Sequence, residues 1–300
     1  MRPSRCRWLE APTWQAAMDI GEYPLVKTFE AVRPSVVAFA SRIVLREKPA
    51  FPEIIGTGFV VDGRGLVATN KHVIDALRAL PRHPRTNESP AFCILPTSIQ
   101  SSGNERFLGT LFVSIRGYNA LESFVPAGPY YGESVPDFGF VQIEVQELPA
   151  LGLAEEAFSL RVGMPIATAG FPLGTQALLT YDKISQVMPF LREGIVSSVL
   201  PFPCPYPHGF TIDTMAQGGA SGSPIFSRDH PMVVGILHAA FAGTNITYGV
   251  PSSILAKGLR ECLKSSPLDL TGVPTLPELI SRSERNDILT WETFRSASNP

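Results

Sequence analysis

A run of small residues, Gln217–Pro224, is the segment of this sequence best suited to chemistry. Its glycines let the backbone approach a ligand closely, and the serine held there, Ser221, can face a carbonyl carbon. The N–H groups of Gly219 and Ser221 would then point at the oxygen on which negative charge develops. A Gly- and Ser-rich turn between two strands is the alternative interpretation of the same segment.

A serine hydroxyl becomes an effective nucleophile only when a base removes its proton, so a histidine is required. The sequence contains five histidines. His72 is the best candidate because it follows the predicted strand Gly65–Thr69 on a short helical turn, although a histidine at a strand end can equally be structural. The other four lie in polar or proline-rich loops or inside a predicted strand: His83, His208, His230 and His238.

The base in turn needs a carboxylate that fixes its tautomer and stabilises the imidazolium. Asp137 heads the apolar run Asp137–Ile143, and a carboxylate at the mouth of a buried strand is costly unless it is paired. We therefore interpret Asp137 as the partner of His72. The other aspartates between His72 and Ser221 suit solvent-facing or loop positions, or have no role assigned by their spacing: Asp75, Asp182 and Asp213.

The overall composition excludes several classes of protein. The chain has 300 residues and a mass of 32.5 kDa, is 44% hydrophobic and 17% charged, and has a net charge of −2. It can bury a large core, and it has neither a basic stripe for nucleic acid nor an apolar run long enough to span a membrane. The basic N-terminus has no apolar segment behind it, so we expect no secretory signal and a cytoplasmic protein.

The spacing of the cysteines also favours a cytoplasmic protein. They are far apart and form no CxxC pair, which argues against a zinc site and favours reduced thiols. They are Cys6, Cys93, Cys204 and Cys262.

The elements that must position these residues are mostly short strands. About a dozen apolar, β-branched runs separated by turn residues predict an all-β sandwich or barrel. Short helices are predicted at Tyr23–Val32, at Lys71–Leu80, from near Ser252 and at Pro277–Arg282. Two stretches rich in proline, 81–106 and 117–136, are interpreted as surface insertions that lengthen the interval between His72 and Asp137.

The order His72, Asp137, Ser221 and the motifs around these residues resemble the trypsin-like serine peptidases, most closely the HtrA/Deg branch. The matching segments are Gly56–Val61, Leu66–Val73, Asp137–Ile143 and Gly219–Pro224, and lesser matches extend from Pro34–Val37 to Gly249–Ser252. The resemblance covers about residues 30–260. It implies an all-β fold of two six-stranded antiparallel β-barrels of the trypsin/chymotrypsin type, with the active site in the cleft between them.

The resemblance also divides the chain. It implies an N-terminal extension (1–30), a peptidase domain (31–258, with barrels at about 31–150 and 151–258) and a C-terminal helical tail (259–300). The tail is too short for a PDZ domain, since a small domain needs about 100 residues.

The activity implied by the resemblance is that of a serine endopeptidase. Ser221 would attack the scissile carbonyl and form an acyl-enzyme, His72 would act as base and then acid, and Asp137 would orient His72. Gly219 and Ser221 would supply the oxyanion hole, and no metal or cofactor would be needed. The substrate would be a protein or peptide. The alternative is a latent or inactive binding or scaffold protein on the same fold, controlled by a regulatory partner.

Specificity follows from the residues expected around the substrate. Met215 lies six residues before the serine, where the family builds the floor of its pocket, and Ala239 and Ala240 lie on the strand expected to pair with the substrate. We expect an apolar pocket without a charged group, and cleavage after small or medium apolar residues. By strand alternation His238 should pack near Asp137 or the cleft, and a role in the substrate pocket is the less favoured alternative.

Ala220 departs from one branch of the family. Trypsin-type zymogens carry an aspartate at this position, which receives a newly cut N-terminus. We therefore expect no activation by N-terminal cleavage, and an oxyanion loop, Gln217–Ser221, that is ordered by loop contacts or by substrate.

Overall fold

The computed structural model describes most of the chain between residues 23 and 284. The described ranges are 23–41, 52–82, 84–85, 87–100, 106–120, 136–155, 158–180, 183–184, 187–200, 207–240, 243–265 and 268–284. His83 and Asp182, and the predicted N-terminal extension as far as residue 22, lie outside them.

The first six strands close into an antiparallel barrel, barrel 1, in the order β1-β2-β3-β6-β5-β4. Their bounds are β1 Val36–Ser41, β2 Glu53–Asp62, β3 Leu66–Thr69, β4 Ala91–Gln100, β5 Arg106–Ala120 and β6 Gly139–Ile143. Alternate residues of β1 enter two different cores. Val37 and Phe39 pack in a core formed by barrel 1 itself, whereas Ala38 and Ala40 pack in a core to which both barrels contribute. Strand β1 is therefore buried on both faces, which explains its uninterrupted apolar sequence.

A second closed barrel, barrel 2, contains β8, β11, β12, β15, β14 and β13, joined in that order, with β13 pairing back to β8. The remaining strands are β7 Gly152–Leu153, β8 Pro165–Gly170, β9 Leu179–Thr180, β10 Lys183–Ile184, β11 Phe190–Leu200, β12 Gly209–Ile212, β13 Pro224–Ser227, β14 Met232–Ala240 and β15 Thr247–Pro251. Strand β7 adds to β14 in parallel, and β9 and β10 form a separate two-stranded antiparallel sheet. Two six-stranded antiparallel barrels are the trypsin/chymotrypsin fold that the resemblance implied.

Within the described ranges, four short helices flank the barrels: α1 Pro24–Val32, α2 Lys71–Arg78, α3 Ser252–Ser265 and α4 Leu276–Glu284. Helix α4 packs its Leu279 and Ile280 against the core of barrel 1. In the part of the chain that is described, no helix has the length and apolar character needed to cross a membrane. Cys93 and Cys262 are free and buried, and Cys6 and Cys204 lie outside the described ranges.

The interpretation of 81–106 as an insertion is wrong, because residues 91–100 form β4, a strand of barrel 1. Strand β4 pairs with β1 over Ala91–Ile94 and with β5 over Phe92–Gln100. Pro96 is tolerated because it lies beyond the pairing with β1, where its missing N–H removes no hydrogen bond to that strand. The second predicted insertion begins too early, since residues 117–120 belong to β5, and residues 121–135 lie outside the described ranges.

Candidate active site

His72 and Asp137 meet because of the register of two strands. Thr69, the last residue of β3, is paired with Gly139, the first residue of β6. In an antiparallel pair, the residues after one strand and before the other lie at the same edge of the sheet. Helix α2 begins at Lys71, just after β3, and therefore places His72 beside Asp137, which lies just before β6.

Two hydrogen bonds join these residues. The Nδ1 atom of His72 lies 2.5 Å from Oδ2 of Asp137, and the backbone N–H of His72 donates to Oδ1 over 2.9 Å. The second bond satisfies an N–H group in the first turn of α2, which has no partner within the helix. A third contact fixes the backbone, since the side-chain amide of Asn70 donates to the carbonyl oxygen of Asp137 over 2.7 Å.

His238 also binds the Asp137 carboxylate. Its Nδ1 atom lies 2.9 Å from the same Oδ2 atom that His72 contacts. The pairing of β14 with β15 shifts register between Leu237 and Ala239, so His238 lies in a bulge, which bends the strand and re-aims its side chains. The structure thus places His238 beside Asp137, and the bulge rather than regular alternation sets the direction of its side chain.

The charge state of Asp137 follows from these contacts. Burial raises the pKa of its carboxyl group, but hydrogen bonds from His238 and His72 together outweigh burial and hold that pKa well below its usual range. Asp137 is therefore an ionised carboxylate at neutral pH. It can only accept hydrogen bonds, so each imidazole must donate from Nδ1.

Ser221 lies between β12 and β13, on the loop that the sequence identified. Its carbonyl oxygen accepts a hydrogen bond from the Thr57 N–H over 2.8 Å. Gly56 lies between Ser221 and α2, because a Cβ atom there would be 3.4 Å from the Ser221 carbonyl oxygen and 2.7 Å from a methyl group of Val73. Ser221 is therefore close to the helix that carries His72. Among the described residues, its hydroxyl group makes no hydrogen bond, so the structure does not join it directly to His72.

The loop before Ser221 is held in place by Thr57, a fully buried residue of β2. The Thr57 hydroxyl donates to the Gly219 carbonyl oxygen over 2.7 Å and accepts from the Phe171 N–H over 3.0 Å. Gly219 has a φ of +88°, and a Cβ atom on it would lie 2.4 Å from the Phe171 carbonyl oxygen, so only glycine fits. The motif Gly56–Gly58 was visible in the sequence, but nothing there indicated that its threonine fixes a loop of the other barrel.

Two N–H groups of this loop are available to a ligand. Neither the N–H of Gly219 nor that of Ser221 donates a backbone hydrogen bond to any described residue, whereas the N–H of Ala220, between them, donates to Gln217 over 3.0 Å. Such a pair of unused donors beside a serine hydroxyl can stabilise an oxyanion.

A small pocket lies beside the serine loop. Met215 lines it, together with Ala216, Ala220 and Leu237. Ala239 and Ala240 lie further along β14 and are not among its lining residues. Arg192 of β11 also lines this pocket, so it contains a charged group, unlike the apolar substrate pocket that the sequence predicted. Arg192 belongs to none of the motifs, and the face of β11 on which it lies follows only from the pairing of that strand.

A family model described as the trypsin-like peptidase domain matches residues 56–236. The chain belongs to the trypsin-like peptidases. The matched segment contains His72, Asp137 and Ser221, and it ends two residues before His238.

Solved structures similar to this chain include the following three. Deg5 is 20% identical, with 85% of this chain and 97% of that chain covered and a TM-score of 0.48. A serine endoprotease from Yersinia pestis is 16% identical, with 80% and 66% covered and a TM-score of 0.50. The HtrA-type protease AlgW with a tripeptide is 15% identical, with 80% and 64% covered and a TM-score of 0.49. The chain thus spans about two thirds of the latter two, and a search of curated proteins finds no match.

Proposed function

We propose that this trypsin-like peptidase is an active serine endopeptidase with Ser221, His72 and Asp137 as its catalytic triad. The observation that supports this most directly is the pair of hydrogen bonds from His72 to Asp137, one from the backbone and one from the ring. Together they fix both the position and the rotation of the imidazole. Histidine held by a carboxylate in this way is the base that a serine nucleophile requires.

The reaction follows from the proton positions. Because Nδ1 of His72 donates to Asp137, its Nε2 atom carries a lone pair and can take the proton of the Ser221 hydroxyl. The Ser221 oxygen then attacks the peptide carbonyl, and the N–H groups of Gly219 and Ser221 hold the resulting oxyanion. His72 returns the proton to the leaving amine, which leaves an acyl-enzyme. A water molecule activated by the same histidine hydrolyses this ester and restores the serine.

Arg192 in the pocket weighs against the expected cleavage after small or medium apolar residues. We therefore propose the reaction without that preference.

The second candidate is a latent or binding protein on the same fold, controlled by a partner. The absence of a hydrogen bond between the Ser221 hydroxyl and any described residue favours it. That contact is often long in substrate-free enzymes and tightens only when substrate binds, so it does not exclude an active site.

Labelling with a fluorophosphonate probe separates the two candidates. We expect the wild-type chain to be labelled, and labelling to be lost in both Ser221→Ala and His72→Ala. His230→Ala is a matched control, because His230 is exposed on a turn of barrel 2. A folded wild-type chain that is not labelled would refute the active endopeptidase and favour the latent protein.

A further inference from the structure

The pocket beside the serine loop contains polar groups that an apolar substrate would not satisfy. Ala220 and Ser223, on either side of Ser221, both line it. If Ser221 is the nucleophile, as proposed above, this pocket takes the side chain of the residue whose carbonyl is attacked. The inference that follows rests on that function and names its substrate class.

Arg192 brings a positive charge to this pocket. It is paired with Thr168 across β11 and β8, and paired residues point to the same face of a sheet. The Arg192 guanidinium donates to the carbonyl oxygen of Met215, which uses one of its five N–H groups.

The charge of Arg192 is not neutralised by the residues around it. No carboxylate of a described residue pairs with Arg192, and the acidic side chains nearest to it along β11 and its neighbours are engaged elsewhere. Glu193 pairs with Arg228 over 2.9 Å, and Oδ1 of Asp213 accepts the Ile195 N–H over 2.7 Å.

Two hydroxyl groups add to the same pocket. Thr168 and Thr214 both line it, and both are buried, with 5% and 6% of their surface exposed. Neither side-chain oxygen has a hydrogen-bond partner among the described residues. A buried hydroxyl group without a partner is unfavourable, so a ligand that accepted a hydrogen bond from either of them would relieve that cost.

A carboxylate is the group that satisfies all three side chains. It only accepts hydrogen bonds, whereas a guanidinium only donates and a hydroxyl can donate. An apolar side chain would leave the three groups unpaired, an ammonium would be repelled, and a carboxamide would bring its own donors to the guanidinium. We infer that Arg192, Thr168 and Thr214 select an aspartate or glutamate on the residue whose carbonyl Ser221 attacks.

Arg192 also has to move when such a substrate enters. Only about 10 Å³ of the pocket is open to the centre of a water molecule, which is room for about one water. Turning from the Met215 carbonyl oxygen to a substrate carboxylate would exchange a neutral acceptor for a charged one, which binds a guanidinium more strongly. The acidic side chain of the substrate thus draws Arg192 away from Met215 and makes room for itself in the pocket.

The test compares peptides that differ at one residue. Octapeptides of alanine and glycine with a single glutamate, glutamine or leucine are given to the wild-type chain, and kcat/KM is measured for cleavage after that residue. We expect glutamate to exceed glutamine and leucine by about tenfold or more, as for a hydrogen-bonded charge pair. The ratio should fall to about one in Arg192→Met and be partly kept in Arg192→Lys. Arg161→Met removes the same charge from an exposed site outside the pocket and should keep the ratio.

A second readout does not need activity. Binding of the same peptides to the Ser221→Ala chain should show the same order, and the order should disappear when Arg192→Met is added. Equal or stronger binding of the leucine peptide, or no binding of the glutamate peptide at millimolar concentration, overturns the inference. Fluorophosphonate labelling of wild type and Arg192→Met then separates the two failures: labelled chains without a glutamate preference refute the pocket alone, and unlabelled chains refute the proposed function.

Discussion

Replacing His238 with alanine removes one of three hydrogen bonds that the Asp137 carboxylate accepts. The other two come from His72. Both imidazoles donate to the same Oδ2 atom, so His238 helps to hold the oxygen that orients His72, the proposed catalytic base. Loss of His238 leaves Asp137 free to rotate about its side-chain bonds, and the ring of His72 would follow it.

The size of the effect can be bounded. A hydrogen bond to a charged group contributes about 1.5–3 kcal/mol, which corresponds to a rate factor of about 10 to 150 if all of it is felt in the transition state. The His238 side chain is 27% exposed, and two bonds from His72 remain, so the lower end applies. We expect the rate of fluorophosphonate labelling to fall about tenfold in His238→Ala. The effect on peptide hydrolysis should appear in kcat rather than KM.

A conservative replacement distinguishes positioning from simple loss of folding. His238→Asn keeps an N–H donor and should restore labelling to within about threefold of wild type, whereas His230→Ala should change nothing. Thermal unfolding of each variant shows that the chains compared are folded. The reasoning is refuted if folded His238→Ala is labelled as fast as wild type, or if the asparagine gives no rescue.

The acid stability of the same variant supplies an independent check. Because His238 helps to hold the pKa of Asp137 below its usual value of about 3.9, ionised Asp137 stabilises the fold fully above that value. This stabilisation is lost as the pH falls through the lower, folded-state pKa. Without His238 the folded-state pKa rises, so acid unfolding followed by circular dichroism should begin at a higher pH.

Three further outcomes follow from the contacts described. Thr57→Val removes the hydroxyl that holds the Gly219 carbonyl oxygen and should slow labelling about tenfold, while Thr57→Ser should retain most of the rate. Removal of residues 1–20 should leave the labelling rate unchanged, since the loop is held by Thr57; dependence on one new N-terminus would contradict this. The pKa of Asp269 is held at about 2, mainly by the N–H of Thr271 and also by Arg116, so its stabilising effect is complete above about pH 4 and is lost toward pH 2. The variant Asp269→Asn should lack this pH-dependent loss of stability during acid unfolding.

The strands that the sequence predicted well are those with apolar residues on both faces. Strands β3 and β14 begin or end within a residue of the predicted bounds, because burial on two sides leaves a continuous apolar run. Strand β4 was missed because Pro96, Thr97 and Ser98 give it the composition of a loop. Only its pairing with β1 and β5, which no local pattern reveals, makes it a strand.

The candidate site also contains some residues whose position the sequence could predict and others whose position it could not. The proximity of His72 and Asp137 could be inferred, since each lies at the end of an apolar strand. The bulge that turns His238 toward Asp137 could not, because it is defined only by the pairing of β14 with β15. The position of Arg192 in the pocket could not be predicted either, because the sequence around it has no clear alternation, and its direction depends on the pairing with Thr168. Thr57 acts across the two barrels, through contacts that are remote in sequence.

The position of Thr57 explains how the serine loop can be ordered without a new N-terminus. Ala220 is 6% exposed and offers no carboxylate to an N-terminal amine. Thr57 contacts the loop from barrel 1 instead, with its N–H on the Ser221 carbonyl oxygen and its hydroxyl on the Gly219 carbonyl oxygen. These bonds form when the two barrels pack together and turn both carbonyl oxygens toward barrel 1. The N–H groups of the same loop therefore remain available for an oxyanion, and we expect the site to be assembled by folding itself.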